Sequence, residues 1–325
     1  MSTFTRSYLL LAVFCLISAG LSLHVGALPI TPSHVLAALW GKGDANTVLI
    51  VQELRLPRTL LALIIGAGLG ASGAALQGYT RNPLADPGIL GFSATAAFGA
   101  VLALYFGHAA WISVAALLGA GVGALLLLAI AGRRQGATLL ILAGVGIGSL
   151  ATALTGLLMN FAPNPWALSE IVYWLMGSLR NASGHTVIIS GSLTLVGLCL
   201  LFLIGPHLRV LSLGEETAQS LGVSLKKLRI LLVMGVALCV GSGVAIAGAI
   251  GFIGLFIPHI LRKLFTADPA RLIPLSALGG AGFLVLADTL TRILSSHGTQ
   301  LYLGILTALI GAPFFIYLAF KEARS

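Results

Sequence analysis

Long apolar runs, interrupted by short segments that carry charges or prolines, make up most of the chain. Read from break to break they predict ten spans, at residues 8–28, 58–78, 89–107, 111–131, 138–160, 186–206, 228–249, a short one near 253–265, 273–294 and 302–320. Runs of this kind are expected to cross a bilayer as helices, because lipid offers no partner to an open backbone group. The stretch 228–262, taken as one helix, would be about 50 Å long against a hydrocarbon core of about 30 Å. Gly248, Gly251, Gly254 and Pro258 offer the break. The first run, Tyr8–Leu28, follows Arg6. The small residues Val25-Gly26-Ala27 would also suit a cleaved leader, but the run is long enough to span and is read as the first transmembrane helix.

Composition agrees. Of the 325 residues 58% are hydrophobic and 8% charged, with a mean hydropathy of +1.05, whereas soluble domains carry about 25% charged residues. So few charges cannot cover a surface facing water. Six tyrosines and no sustained alternation argue against an outer-membrane barrel. The expected fold is an all-α membrane protein forming one transmembrane domain over 1–325, with halves of about 1–185 and 186–325.

The formal charge of +9 would suit nucleic acid, but the basic residues sit in short loops between apolar runs, where they orient a membrane protein. With the N-terminus inside, thirteen of the 18 Lys and Arg fall on the cytoplasmic side, among them Arg81, Arg133, Arg134, Arg209, Arg262, Lys321 and Arg324. The bias predicts N-in and C-in, which needs an even number of spans and so suits ten. Gly66, Gly68, Gly73, Ala74 and Pro83 recur 175 positions later as Gly241, Gly243, Gly248, Ala249 and Pro258. The two copies would run in opposite directions, as in an inverted repeat of five plus five helices. Cys15, Cys199 and Cys239 each lie in an apolar run, with spacing that fits neither a metal site nor a disulfide framework.

The segment Leu54–Gly91 carries the most information. Arg55 and Arg58 stand just before an apolar run. Gly66, Gly68, Gly70, Ser72 and Gly73 would form a small-residue face for close helix approach. Gln77 near the far end must find a polar partner, and Asn82, Pro83 and Pro87 stop the helix. This segment resembles the permease subunits of bacterial ABC importers for iron–siderophore complexes, heme and vitamin B12. The resemblance recurs at Leu213–Val223 (LGEETAQSLGV), Gly251–Arg262 (GFIGLFIPHILR), Ala287–Arg292 (ADTLTR) and Gly304–Phe315 (GILTALIGAPFF). Such permeases have ten helices per subunit in two pseudo-symmetric halves. They work as two copies with two separate ABC ATPase subunits and a periplasmic substrate-binding protein, in the bacterial inner membrane.

No lysine completes a phosphate-binding loop, and no catalytic or metal-ligating set can be argued, so this chain is not expected to hydrolyse ATP or hold a cofactor, and energy would come from a partner or an ion gradient; the resemblance implies that ATP is bound by a partner subunit. Within Pro206–Leu228, the longest internal loop, Gly214-Glu215-Glu216 followed by Ala218, Leu221 and Gly222 describes a short helix with acids in its first turn and a glycine at its end. The resemblance makes Leu213–Gly222 the loop that couples to the ATPase. It also makes Arg55, Arg58 and Arg292 the outward arginines that pair with glutamates of the binding protein, bidentate contacts that fix geometry as well as charge. Asp288, one turn before Arg292, is a competing partner.

In Phe161–His185, Pro163 and Pro165 break the chain and Leu168–Leu179 reads as a short amphipathic helix. Tyr173, Trp174, Met176 and Arg180 would stand at the pathway mouth, unless the aromatics belong to the interfacial belt. Arg180 and Asn181 occupy positions where similar permeases often carry small residues, and Arg180 would attract an anionic chelate or a heme propionate. His259 in Pro-His-x-x-Arg is read as structural. Similar permeases often show Pro-x-Glu-x-Pro-x-Gly before the last span; here Gln300 and Tyr302 replace the Glu and the second Pro. A ferric siderophore is the first expectation for the cargo, heme and cobalamin next. The rival class is an ion-coupled secondary transporter, for which the membrane carboxylates are chiefly Asp288 and Glu170.

Overall fold

A computed structural model describes residues 3–131, 136–295 and 300–322, and every element in them is helical. Arg133, Arg134, Thr299 and Arg324 lie outside the described residues, as does the side chain of Lys321. Fourteen α-helices follow one another: α1 (Thr3–His24), α2 (Pro32–Leu39), α3 (Ala45–Leu49), α4 (Leu56–Thr80), α5 (Phe92–Tyr105), α6 (Ile112–Ala131), α7 (Ala137–Asn160), α8 (Pro165–Leu175), α9 (Gly184–Leu211), α10 (Glu215–Ser220), α11 (Leu225–Ala247), α12 (Ile253–Leu264), α13 (Pro269–Leu294) and α14 (Leu303–Glu322). Each of the ten expected spans coincides with a helix. Seven helical stretches among the described residues are long and apolar enough to cross a membrane. The others are α5 and α12, with 14 and 12 residues, and the apolar part of α14. At 1.5 Å per residue α5 and α12 reach only about 20 Å, less than the hydrocarbon core.

The bundle is built around α4, α11 and α13, which are mostly buried, while α1, α6, α7 and α9 expose most of their apolar surface. Lipid is as apolar as leucine, so helices gain little by hiding leucine from it, and close backbone packing must hold the centre together. The small residues of α4 supply that packing, though not as the single face expected. At 100° per residue, Gly66, Gly70 and Gly73 fall on one side, and Gly68 and Ser72 on another. Gly66 meets the backbone of Gly280, Gly70 meets the Ser276 carbonyl and Gly73 meets Gly254, whereas Gly68 faces Cys239 and Thr194. A helix in the centre of a bundle needs small residues all round it. Contacts of Gly68 with Cys239 and of Ile65 with Gly243 show that α4 and α11 run antiparallel, the relation an inverted repeat requires. Hydroxyl pairs lace the same helices, Ser22 with Thr59 at 2.7 Å and Thr194 with Ser242 at 2.9 Å.

Between α11 and α12 the chain breaks at the expected place. Gly248 and Phe252 both have positive φ, 72° and 69°. The break is also a crossing point. Ser178 N–H donates to the Ala247 carbonyl at 2.7 Å and Leu303 N–H to the Gly177 carbonyl at 3.0 Å, so the end of α8, the end of α11 and the start of α14 are tied backbone to backbone.

Three expectations change. Pro206 does not end its span: α9 continues to Leu211 because Leu208 and Leu211 are buried against the bundle, so the loop after it is shorter than Pro206–Leu228. The short helix expected at Leu168–Leu179 runs from Pro165 to Leu175, its start fixed by the Asn164 side chain accepting from Ala167 N–H at 2.8 Å. The stretch between the first two spans is not a plain loop. α2, α3 and a π-helical turn at Ile50–Arg55 fold into a small cluster of Ile30, Val35, Ala38 and Val51.

Gly70→Leu would drive a side chain into the Ser276 carbonyl. It should cost about 1–3 kcal/mol, typical of overpacking, read as a lower thermal unfolding temperature of the detergent-purified protein.

Candidate functional site

Polar groups gather at the two ends of the bundle. At one end lie Arg55, Arg58, Arg180, Arg292 and Asp288; at the other lie α10, Arg81, Arg209, Asp268 and Arg271.

The arginine end is organised by the C-terminus of α1, whose last carbonyls have no helical partner. The π-helical turn leading into α4 aims Arg55 inward. The residue is only 5% exposed, and its guanidinium donates to the carbonyls of Leu23 (2.9 Å), His24 (2.8 Å) and Leu28 (2.6 Å). Arg292 reaches the same helix end from α13, donating to the carbonyls of Ser22 and Val25 at 2.9 Å and to the Ser22 hydroxyl at 2.6 Å. Two cations thus cap one helix C-terminus, where the helix dipole favours positive charge.

Arg58 grips Asp288 with both arms, Nε at 2.9 Å from one carboxylate oxygen and NH2 at 2.8 Å from the other. Arg292 Nε stands 3.4 Å from the same carboxylate. Asp288 is 1% exposed, Arg58 20% and Arg292 11%, so one buried carboxylate serves two arginines. The expected competition between docking and Asp288 therefore resolves as a shared pair in this conformation. Arg58 and Arg292 still line a cleft of about 570 Å³ that opens at this end; Arg55 does not.

A second cleft of about 350 Å³ adjoins it, lined by Tyr173, Trp174, Arg180, Glu170 and the end of α11. Ser178, Arg180 and Gln300 belong to the walls of both. Met176 lines neither; its carbonyl packs on Gly304 instead. Tyr173 stacks on Tyr302 with ring centroids 6.0 Å apart and planes 7° from parallel. Arg180 NH1 donates to Gln300 Oε1 at 2.8 Å. Two of the positions that set this chain apart from the resembled pattern, Arg180 and Gln300, are thus in contact, which no reading along the sequence could show.

At the opposite end, Gly214 and Gly222, both with positive φ, bracket α10. The helix is held from beneath by Ala218, fully buried, and by Val223 N–H donating to the Ala218 carbonyl at 2.9 Å. Outward it presents Leu213 and Leu221, 65% and 62% exposed, beside Glu215 and Glu216. Arg81, in left-handed backbone at the end of α4, stands 4.0 Å from Glu215. Arg209 and Asp268, paired at 2.8 and 2.5 Å, tie α9 to the first turn of α13. Nearby, burial pushes the Asp86 carboxyl above its ordinary range, opposed by the Gly88 N–H that it accepts. Gln77 finds the partners it needs: Arg262 donates to it at 3.0 Å, and its amide faces the Ala85, Gly254 and Leu255 carbonyls at 3.4 Å. His259 is buried edge-on against Phe314.

A lipid-facing helical bundle with a cleft system at one end and an exposed acidic knob at the other defines a polytopic membrane permease. The chain belongs to the FecCD transport family, which it matches over residues 10–321. It is 38% identical over 320 residues to the Fe(3+)-citrate import system permease protein YfmE of Bacillus subtilis, covering 97% of this chain and 95% of that one. It is 39% identical over 325 residues to the vitamin B12 import system permease protein BtuC of Salmonella paratyphi A, covering 98% and 96%. Its fold is similar to that of a metal-chelate type ABC transporter solved in an inward-facing conformation, with a TM-score of 0.86 and 33% identity over 98% of this chain and 99% of that one. The chain is a transport protein, an ABC transporter permease.

Asp288→Ala would leave Arg58 and Arg292 without their carboxylate. It should cost about 3–5 kcal/mol, as when one partner of a buried pair is removed, whereas the double variant Arg58→Ala/Asp288→Ala should cost less than the sum of the two single changes. Thermal unfolding of the four proteins measures the coupling.

Proposed function

We propose that this chain is the membrane-spanning subunit of an importer that carries a metal chelate across the bacterial inner membrane. A ferric siderophore is the first choice of cargo, heme or cobalamin next. Ten crossings with both termini in the cytoplasm would put α10 inside and the arginine end outside. Two copies would enclose the pathway. The exposed side of α7 supports this, because it intersperses Gly146, Ser149, Thr152 and Gly156 among Leu142, Val145, Leu150 and Leu157, whereas the exposed large residues of α1 are Leu9, Leu10, Val13, Leu16, Ile17 and Leu21. Small and hydroxylated positions on an exposed helix face suit a second copy or a passing solute better than lipid.

The observation that carries the reading is α10. A two-turn helix bracketed by glycines, with exposed leucines and paired acids, is built to seat in a groove of another protein. Two ABC ATPase subunits would dock there and hydrolyse ATP, and their closure would move α10 and drive alternating access. On the outer face a periplasmic binding protein would present carboxylates to Arg58 and Arg292 at the rim of the larger cleft. Arg55 would support them from behind by holding α1. The ion-coupled alternative draws no support from Asp288, which is engaged by two arginines.

Glu215→Lys combined with Glu216→Lys should lower recovery of the ATPase subunits with the membrane protein, and uptake with it, by about tenfold or more, since two favourable charges become two repulsive ones at the contact. Fold is checked by gel filtration of the solubilised variant. Normal uptake by the folded variant would sink the coupling role of α10.

A further inference from the structure

Arg180 differs from the other arginines of its end. Arg55 and Arg292 are consumed by α1 carbonyls and Arg58 by a carboxylate, but the ion pairs among the described residues include none to Arg180. Its side-chain partner is the neutral Gln300, which orients the guanidinium without cancelling its charge. It is exposed, and it stands in the wall common to the 570 Å³ and 350 Å³ clefts. The larger cleft has Arg58, Arg180 and Arg292 in its wall and, among the described residues, no carboxylate there; Asp288 lies behind the first and last of these. In the smaller cleft Glu170 is the acid present, and it makes no ion pair with Arg180. Beyond Arg180 that cleft offers the stacked Tyr173 and Tyr302 and the indole of Trp174. A concave site with one oriented, uncompensated cation and aromatic walls favours a ligand that combines negative charge with an apolar or planar body.

We propose that Arg180, held by Gln300 at the partition between the two clefts, makes this permease selective for chelates that carry free carboxylates and a net negative charge, passing them from the outer cleft to the inner one. This rests on the importer reading above and narrows its cargo to an anionic class. A binding-protein carboxylate is the competing occupant, but Arg180 also lines the second, small-molecule-sized cleft beside Tyr173 and Trp174, which favours the chelate.

Trp174 reports on the second cleft. With Trp40, Trp111 and Trp166 changed to Phe, the complex of this chain with its ATPase subunits is titrated at low salt with ferric citrate, which is anionic, and with a neutral ferric trihydroxamate. Each fluorescence-quenching slope is normalised to that of free N-acetyltryptophanamide. The anionic chelate should quench about tenfold more effectively than the neutral one, the size of one partly screened charge contact. Arg180→Gln and Gln300→Glu should each abolish the preference, the first by deleting the charge and the second by neutralising it in place, so the conclusion does not hang on one variant folding. No preference in the parent, or a preference kept in Arg180→Gln, overturns the proposal. So does a variant that keeps the preference but loses its hold on the binding protein, which would move Arg180 to the docking face. ATP turnover of the parent complex, with and without the binding protein, is read separately: no response would sink the importer reading, whatever the chelate preference shows.

Discussion

The packing of α4 against α13 is the constraint on which the other contacts depend. In an apolar solvent the gain on bringing two leucine-covered helices together is small, so the central helices must approach closely enough for backbone to touch backbone. Gly66 and Gly70 of α4 lie on Gly280 and Ser276 of α13 with no room for a Cβ between them. Once these two helices are fixed, α11 and α9 close on the other side through Gly68, and α12 seats on Gly73. The short α12 and the break before it are tolerable because both are enclosed by these neighbours rather than exposed to lipid.

Charge at the arginine end follows from the same packing. α1 lies on α13 and ends where α4 begins, so its unpaired carbonyls face the first turn of α4 and the last turn of α13. Arg55 and Arg292 come from those turns, and capping satisfies donors and acceptors that would otherwise be buried without partners. Asp288 then stabilises two guanidiniums that stand close together. The cluster carries more positive than negative charge, and that surplus faces the larger cleft. A structural solution at a helix end thereby also sets the electrostatics of the cleft beside it.

α13 joins the two ends of the molecule. Asp268 at its start holds Arg209 of α9, close to the knob formed by α10, and Asp288 near its other end holds Arg58 of α4. Its 26 residues span about 39 Å as one helix. Two backbone hydrogen bonds, among the ends of α8 and α11 and the start of α14, hold the wall of the smaller cleft to the same core. Movement of α10 would therefore act on a connected body rather than on a loose loop.

Much of this was legible in the sequence. Hydrophobic run length located the long apolar helices, and the limit of about 30 Å on a spanning helix located the break near Gly248. Gly214, Glu215, Glu216 and Gly222 announced α10 because capping and helix-end charge are local effects. Runs and caps depend on neighbours a few residues away, so a linear reading reaches them. The helix at α2, the passage of α9 through Pro206 and the inward turn of Arg55 were not legible, since each is decided by what packs against it. Only the tertiary structure decided that Gly66 and Gly68 serve different neighbours, that Arg58 reaches Asp288 across 230 residues and shares it with Arg292, and that Arg180 meets Gln300 while Tyr173 meets Tyr302. Those pairings depend on how distant helices are laid beside one another, and an apolar sequence states that each helix exists far more clearly than it states which neighbour each one touches.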